Sequence, residues 1–443
     1  MKLTKIFVIF LALILFASPK LIAHAGEMDI LVNKLVEKNI LTPYEAQILL
    51  AEAKEDAAKD LAKGEAVTAP DWTQNVKIKG DVRFRTQIDW GKGLNPAHER
   101  IRNRVRARLG VEGKVNDQIT AGMLAATGTT DPRSTNQTLE NNFEMEDLRL
   151  DAYYIDWTPK IPAEIGRADV WLGKFNNPFV TSELLWDTDI LPAGVAAQYE
   201  SKTFTTDYLP PTTLFGNFGF LWLDEISTSQ RDPLMYVIQG GTRMDVIQDW
   251  DATTEMAIGY YDLAHVENNP GFSRIGAATT NTYWTGTTRY RTDFNLVDLI
   301  LNYDSKAFFD FKLGHGLYTD FIWNTDSAAS EDFAWMIGAY LGDKKPKDPG
   351  QWKLYGEYRY LETDSVPDFL PDSDFYGFTS AGVPGGGGTN GEGCVIGAQY
   401  AIWKNTLLGV EWYYCVPVSI SSTSMARYDE PYQLLQLDIA VKF

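Results

Sequence analysis

The chain has 443 residues, a formal net charge of −19, 13% aromatic residues, 36 glycines and two cysteines. Such an acidic chain is a poor nucleic-acid binder, since phosphate recognition rests on a net positive field. Cys394 and Cys415 alone cannot supply a disulfide framework.

Met1 to Lys5 is short and basic, Ile6 to Ala17 is unbroken apolar sequence, and Ala23-His24-Ala25 offers an A-x-A cleavage site. This predicts a secretory signal peptide over residues 1–25, with an apolar part too short for a membrane helix. Its removal takes away Lys2, Lys5 and Lys20 and moves the charge from −19 to about −22. No later run reaches the ~20 apolar residues of a spanning helix.

Residues 26–71 read as a short helical periplasmic segment and linker. Ile30, Leu31, Val32, Leu35 and Val36 lie at helical spacing, and Thr42-Pro43-Tyr44-Glu45 has the form of a capping box with proline at the first helical position. The Ala-, Lys- and acid-rich stretch that follows favours helix. Gly64 to Asp71 is the linker. The helices either self-associate or are merely solvated.

From Val76 the period changes to two. Val76, Ile78, Gly80, Val82, Phe84, Ile88 and Trp90 alternate with Lys77, Lys79, Asp81, Arg83, Arg85, Gln87 and Asp89, as expected of a strand with two different faces. Arg100, Arg102, Arg104, Arg106 and Arg108 then occupy every second position. In isolation the stretch also fits a basic amphipathic helix, but it lies between alternating strands and runs into a turn at Asn116-Asp117, so it is read as a strand. About sixteen strands follow from this pattern. They span 75–90, 100–115, 118–127, 145–157, 166–175, 192–201, 213–223, 233–245, 252–266, 289–303, 306–320, 331–343, 351–364, 391–402, 405–418 and 430–443.

The connections alternate in length. VND, YDSK and WKN are short, whereas 128–144, 176–191, 267–288 and 365–390 are long, with SKTFTTDYLPPTT an exception on the short side. Short turns at one end and long loops at the other mark an outer-membrane barrel. The last segment alternates Leu435, Leu437, Ile439, Val441 and Phe443 with Leu434, Gln436, Asp438, Ala440 and Lys442, as a closing strand should. The fold expected over 72–443 is therefore an all-β, antiparallel transmembrane β-barrel of about sixteen strands.

RVRARLGVEGKVNDQITAGMLAATG, DPRSTNQTL, WLGKFNNPF and ELLWDTDILPAGVAAQY resemble the bacterial "putative porin" family, most clearly over residues 28–200. The resemblance implies a signal peptide, a helical N-terminal segment, an outer-membrane barrel and passive transport of ions or small hydrophilic solutes through a water-filled pore. A homotrimer is implied by the resemblance to porins of this size.

An arginine facing lipid at the midplane of a barrel costs roughly 2–4 kcal/mol. The ladder is therefore placed in the lumen, with Ile101, Val105, Ala107, Leu109 and Val111 towards lipid and Asn103 as the misfit. Lys77, Lys79, Arg83 and Arg85 share the inner wall with Arg100, Arg102, Arg104, Arg106 and Arg108. In general porins the third extracellular loop folds inward and sets acids against a basic wall. Here that loop is 176–191, with Glu183, Asp187 and Asp189 beside the apolar cluster Leu184-Leu185-Trp186. The expected constriction sets Arg83, Arg104 and Arg106 against these carboxylates. In the alternative reading the arginines are locked in salt bridges with Asp81, Asp89, Glu112 and loop acids.

Other chemistry is sparse. His98, His265 and His315 show no metal-ligand spacing, and no catalytic group, cofactor or metal is expected. Cys394 and Cys415 fall diagonally across a hairpin, so no disulfide is expected. Asn136-Gln-Thr is read as a chance glycosylation pattern, and GVPGGGGTNGEG (382–393) as a mobile surface loop. Two other functions fit an exported β-rich chain: a barrel sheath for an electron-carrying cytochrome, and a soluble secreted binding protein.

Overall fold

The computed structural model describes residues 75–91, 99–272, 279–308, 311–327, 330–380, 385–420 and 431–443. The signal peptide, the helical segment, its linker and His98 lie outside the described residues.

The strands run in chain order as β1 (Val76–Trp90), β2 (Arg100–Lys114), β3 (Ile119–Thr127), β4 (Gln137–Thr138), β5 (Leu148–Trp157) and β6 (Gly166–Lys174). Next come β7 (Ala193–Ser201), β8 (Thr212–Trp222), β9 (Leu234–Ile247), β10 (Ala252–Asp262), β11 (Asn295–Ser305) and β12 (His315–Asn324). The last are β13 (Phe333–Gly342), β14 (Trp352–Leu361), β15 (Gly391–Trp403), β16 (Thr406–Val416) and β17 (Tyr432–Lys442). Each long strand pairs antiparallel with its sequence neighbours, and β17 returns to β1 over Asp81↔Lys442 to Trp90↔Gln433. The result is a closed antiparallel barrel of sixteen strands, with β4 a two-residue addition beside β2. Closure pairs the backbone amides that an open sheet would leave exposed to lipid. Among the described residues no helix is long and apolar enough to cross a membrane; the crossing elements are strands.

Alternation fixes the two faces. On β1, Asp81, Arg85, Gln87 and Asp89 are buried, while Ile78, Val82 and Phe84 are 65%, 47% and 39% exposed. Farther round, Ile238, Ile258, Leu317 and Ile337 extend the exposed apolar band, the outward surface a lipid-facing barrel needs. Asn103 does point outward. It accepts a hydrogen bond from the Thr86 hydroxyl at 3.0 Å, in a directly opposed pair, so the misfit is partly satisfied on its own face. Gly80 leaves room for the Phe443 ring at the closing seam, where an added Cβ would lie 2.6 Å from the ring and 2.5 Å from the Arg108 carbonyl oxygen.

Two strand expectations are corrected. The strand expected over 289–303 begins at Asn295, and the one expected over 306–320 begins only at His315. Tyr290 and Phe294 are fully buried loop residues. Phe308 and Phe311 exchange backbone hydrogen bonds of 2.8 and 3.0 Å in an isolated antiparallel bridge outside the named strands. The loop expected to lie mobile on the surface is corrected as well. Of 382–393, residues 382–384 lie outside the described residues, Gly386 is exposed and Gly387, Gly388, Thr389 and Asn390 are buried, beside Asp364, Ser365, Val366 and Asp368 of the same connection. Asn281 explains part of this, since its amide donates to the carbonyls of Thr363 (2.6 Å) and Val366 (2.9 Å).

The lumen thus has two halves. Near the short turns it is lined by charged groups and tyrosines. Near the long loops, Leu184, Leu185, Leu296, Phe294, Leu370 and Phe378 belong to one apolar cluster with inward-facing ends of the strands.

Candidate functional site

Register sets like charges side by side on the β1–β2 wall. Arg83 lies directly opposite Arg106, and Arg85 opposite Arg104. Such pairs repel unless anions intervene. Arg106 and Arg108 share Asp81, with Nη2 of Arg106 at 2.8 Å and Nε of Arg108 at 2.7 Å from its carboxylate. Asp438 of β17 accepts from Nε (2.8 Å) and Nη2 (2.7 Å) of Arg85, a bidentate clasp across the closing seam. Arg102 pairs with Asp89 at 3.2 Å. Arg104 donates to Gln87 at 3.2 Å and to the Ser134 hydroxyl at 3.4 Å. Arg83 donates to Asn136 at 2.7 Å, and Asn136 is buried while Gln137 and Thr138 are half-buried in β4. Lys77, Lys79 and Arg100 sit at the exposed ends of the wall, Lys79 paired with Glu112 at 2.5 Å.

The loop of residues 175–192 enters the barrel. At its neck the Phe175 amide donates to the Pro192 carbonyl at 3.0 Å. Gly173, beside that neck, has φ +117, where an added Cβ would meet the Tyr153 carbonyl oxygen at 2.3 Å. Leu184, Leu185 and Trp186 are buried to 0%, 0% and 3% exposure, each removing roughly 1.5–3 kcal/mol of apolar exposure from water. The Ser182 hydroxyl donates to Asp320, and Val180 exchanges hydrogen bonds of 2.9 and 2.7 Å with the Gln239 side chain.

The three acids of this loop part ways. Asp189 alone reaches the arginine ladder, at 3.6 Å from Arg108 and 3.8 Å from Arg106. Glu183 pairs across the lumen with Arg359 of β14 at 2.8 Å. Asp187 accepts the backbone amides of Asp189 and Ser373, both at 2.9 Å, and joins one loop to another. Burial, with Asp372 nearby, pushes the Asp187 carboxyl up to about 8. Burial, then Asp372, also holds Glu183 well above the carboxylate range.

Several site residues carry no signal in local sequence. Arg359 is 2% exposed and contacts three carboxylates: Glu183, Glu357 (2.5 Å) and Asp372 (2.7 Å). Asp374, two residues further on, pairs instead with Arg85 at 3.1 Å. Burial tends to raise the Asp374 pKa, but Arg85 and Arg104 outweigh it and leave the group below its ordinary value. The two inward loops therefore strap the β1–β2 wall to the Arg359 wall, one through Glu183 and Asp189, the other through Asp372 and Asp374. Asp438 was the exception: it stands on the polar face of the alternating last strand, next to β1 in any closed barrel.

Between loops and walls lies a cavity of about 790 Å³, lined by Arg83, Arg106, Asp189, Arg359, Tyr355 and Glu411 among others. A second, of about 730 Å³, opens near the short turns and shares Asp304, Tyr340 and Lys344 with the first. The shared residues stand between the two cavities, with Asp304 accepting from the Tyr340 hydroxyl at 2.6 Å and from Lys344 at 2.5 Å. The remaining histidines stand apart: His265 contacts the Asp232 carbonyl oxygen at 3.0 Å, and His315 packs between Tyr303 and Phe308. Cys394 and Cys415 are both free and occupy diagonal register positions.

A closed sixteen-stranded barrel with an apolar outer band, inward loops and a charged mid-lumen cavity defines the porin class of outer-membrane channels. The chain belongs to the family described as "Putative porin", which it matches over residues 92–295 and 272–443. No curated protein sequence matches it. Similar solved structures include OprB of Pseudomonas putida, at 11% identity, covering 84% of this chain and 95% of that one with a TM-score of 0.49. The channel DcaP of Acinetobacter baumannii is 12% identical, covering 83% and 97% with a TM-score of 0.43. OmpF of Salmonella typhi, in complex with daunomycin, is also 12% identical, covering 83% and 97% with a TM-score of 0.44.

Proposed function

We propose that the protein passes ions and small hydrophilic solutes passively across the outer membrane, short turns towards the periplasm and long loops outside. The carrying observation is the cavity of about 790 Å³ lined by arginines of β1 and β2 and by carboxylates of β14, β16, β17 and the inward loops. Lys77, Lys79, Arg83, Arg85 and the ladder from Arg100 to Arg108 form the basic wall of the path. Glu183, Asp187 and Asp189 belong to the constriction, joined by Asp372 and Asp374 from the second loop. Nine carboxyl groups and seven basic side chains line the cavity; with Asp187 and Glu183 protonated the two signs balance, and a cation preference develops as pH rises and these acids ionise. The filling of the loop half by the chain's own segments weighs against a sheath around a partner protein, and the exposed apolar band weighs against a soluble binding protein.

The proposed assembly is a homotrimer in lipid. The tip carrying Phe143 and Met145, 102% and 96% exposed, is a candidate contact between copies, which sedimentation in detergent of Phe143→Ser would test. The export signal and helical segment over residues 1–71 belong to the same proposal.

The test of function is the reversal potential of purified protein in a planar bilayer across a potassium chloride gradient. Stable conductance with a cation preference that increases from pH 6 to pH 9 is the expected result. Arg104→Glu/Arg106→Glu should strengthen that preference. A silent bilayer despite verified insertion would overturn the channel reading.

A further inference from the structure

The two walls of the mid-lumen cavity are each left out of balance. On the basic wall, Arg83, Arg85, Arg106 and Arg108 share the carboxylates Asp81, Asp189, Asp374 and Asp438, and Arg104 has none at ion-pair distance among the described residues. Of Arg83, Arg85 and Arg106, which line the cavity, Arg83 is the poorest served. Its carboxylate neighbour, Asp438, lies 3.7 Å away and is clasped by Arg85, and Nε of Arg83 is buried with no hydrogen-bond partner among the described residues.

The neighbouring arc, two to four strands round the barrel from β1 through β16 to β14, errs the other way. Glu183, Glu357 and Asp372 share the single guanidinium of Arg359. Glu411 accepts the Tyr355 hydroxyl and has no basic group at ion-pair distance among the described residues. Lys353 is close by, yet its ammonium lies over the rings of Tyr355 (4.5 Å) and Tyr340 (5.3 Å). The ring faces on this wall are thus presented so that they accept a cation. The Tyr318 hydroxyl donates to Glu357 at 2.8 Å, and its ring lies directly on Gly338 of the next strand, where an added Cβ would be 2.3 Å from it.

We propose that this cavity is a binding station for small zwitterions bearing both a carboxylate and an ammonium group. The solute carboxylate docks on Arg83, and the ammonium docks between Glu411, Glu357 and the Tyr318 ring, the Tyr355 and Tyr340 faces being held by Lys353. Each end supplies the charge its wall lacks. A solute with one charged end corrects one wall only, which separates zwitterions from simple cations and anions. The inference rests on the channel reading above and adds the class of solute. The raised Glu183 and Asp372 carboxyls, pushed up by burial, mean that an ammonium docks more tightly as pH rises and these acids ionise.

The experiment uses the full mature protein in a planar bilayer in potassium chloride, with 4-aminobutyrate as probe and butyrate and butylamine as half-probes. 4-Aminobutyrate is expected to reduce the ion current saturably, at about a tenfold lower concentration than either half-probe, the discrimination one charge-assisted contact supplies. Arg83→Gln should reduce its block to that of butylamine, and Glu411→Gln to that of butyrate. Heat-dependent gel mobility checks that each variant is a folded barrel, and if one is not, the other decides. Equal block by all three probes, or unchanged block in a folded variant, overturns the inference while leaving the channel reading intact. A silent bilayer overturns both.

Discussion

The basic wall of β1–β2 and the acidic wall centred on Arg359 solve the same problem by different means. On β1–β2, arginines stand side by side, and acids arrive from the same strands, from β17 and from two loops. At Arg359 one guanidinium gathers three carboxylates in a site with almost no solvent. The first wall spreads its ion pairs over many partners, so losing one leaves the rest in place. The second concentrates its charge, and a buried carboxylate without a partner is costly.

The sharpest way to break this comparison is Arg359→Met. It strands Glu183, Glu357 and Asp372 together and releases both loops from one wall. A loss of about 3–5 kcal/mol is expected, read as a lower urea midpoint in a gel-mobility unfolding assay, with larger, noisier conductance. Equal loss from Arg102→Met, whose one carboxylate partner among the described residues is Asp89, would mean the two walls do not differ. Leu185→Ala removes a fully buried side chain from the inward loop and should cost about 2–5 kcal/mol at most, visible as current fluctuations before global unfolding.

The pH dependence of loop docking comes next in size. Asp187 has its folded pKa raised to about 8. Its protonated form stabilises the docked loops fully below the ordinary carboxylate pKa. That contribution declines as pH rises towards 8 and is gone above it. Stability of the loop contact, followed by protease protection at Ser373, should therefore fall between pH 5 and pH 9, and Asp187→Asn should flatten the profile. Lys79→Ala, which removes the exposed pair with Glu112, should change stability by less than about 1 kcal/mol. A larger effect would place the exposed rim on a par with the buried wall.

The arginine ladder, the apolar band and the sixteen strands were legible because period-two alternation is a local property that survives without tertiary contacts. Even Asp438 was readable, standing on the polar face of a strand that must meet β1. The role of loop 176–191 was partly legible, since Leu184-Leu185-Trp186 has no reason to face water. Loop 362–390 was not. Its glycines suggest mobility, and the groups that hold it inward, Asn281, Arg85 and Arg359, come from other parts of the chain. The misplaced strands near Tyr290 and Phe311 failed for a related reason: aromatic residues packed in a loop core alternate by accident as readily as those of a strand.

By itself the sequence determined a membrane barrel and the face on which its charges lie, because a strand sends successive side chains to opposite sides and lipid tolerates only one kind. The tertiary structure alone decided the partner of each charge. Closing the sheet brings Arg85 to Asp438 and folds two distant loops into one lumen. Ion pairing there depends on which side chains meet in a space of low dielectric, and sequence spacing carries no record of that.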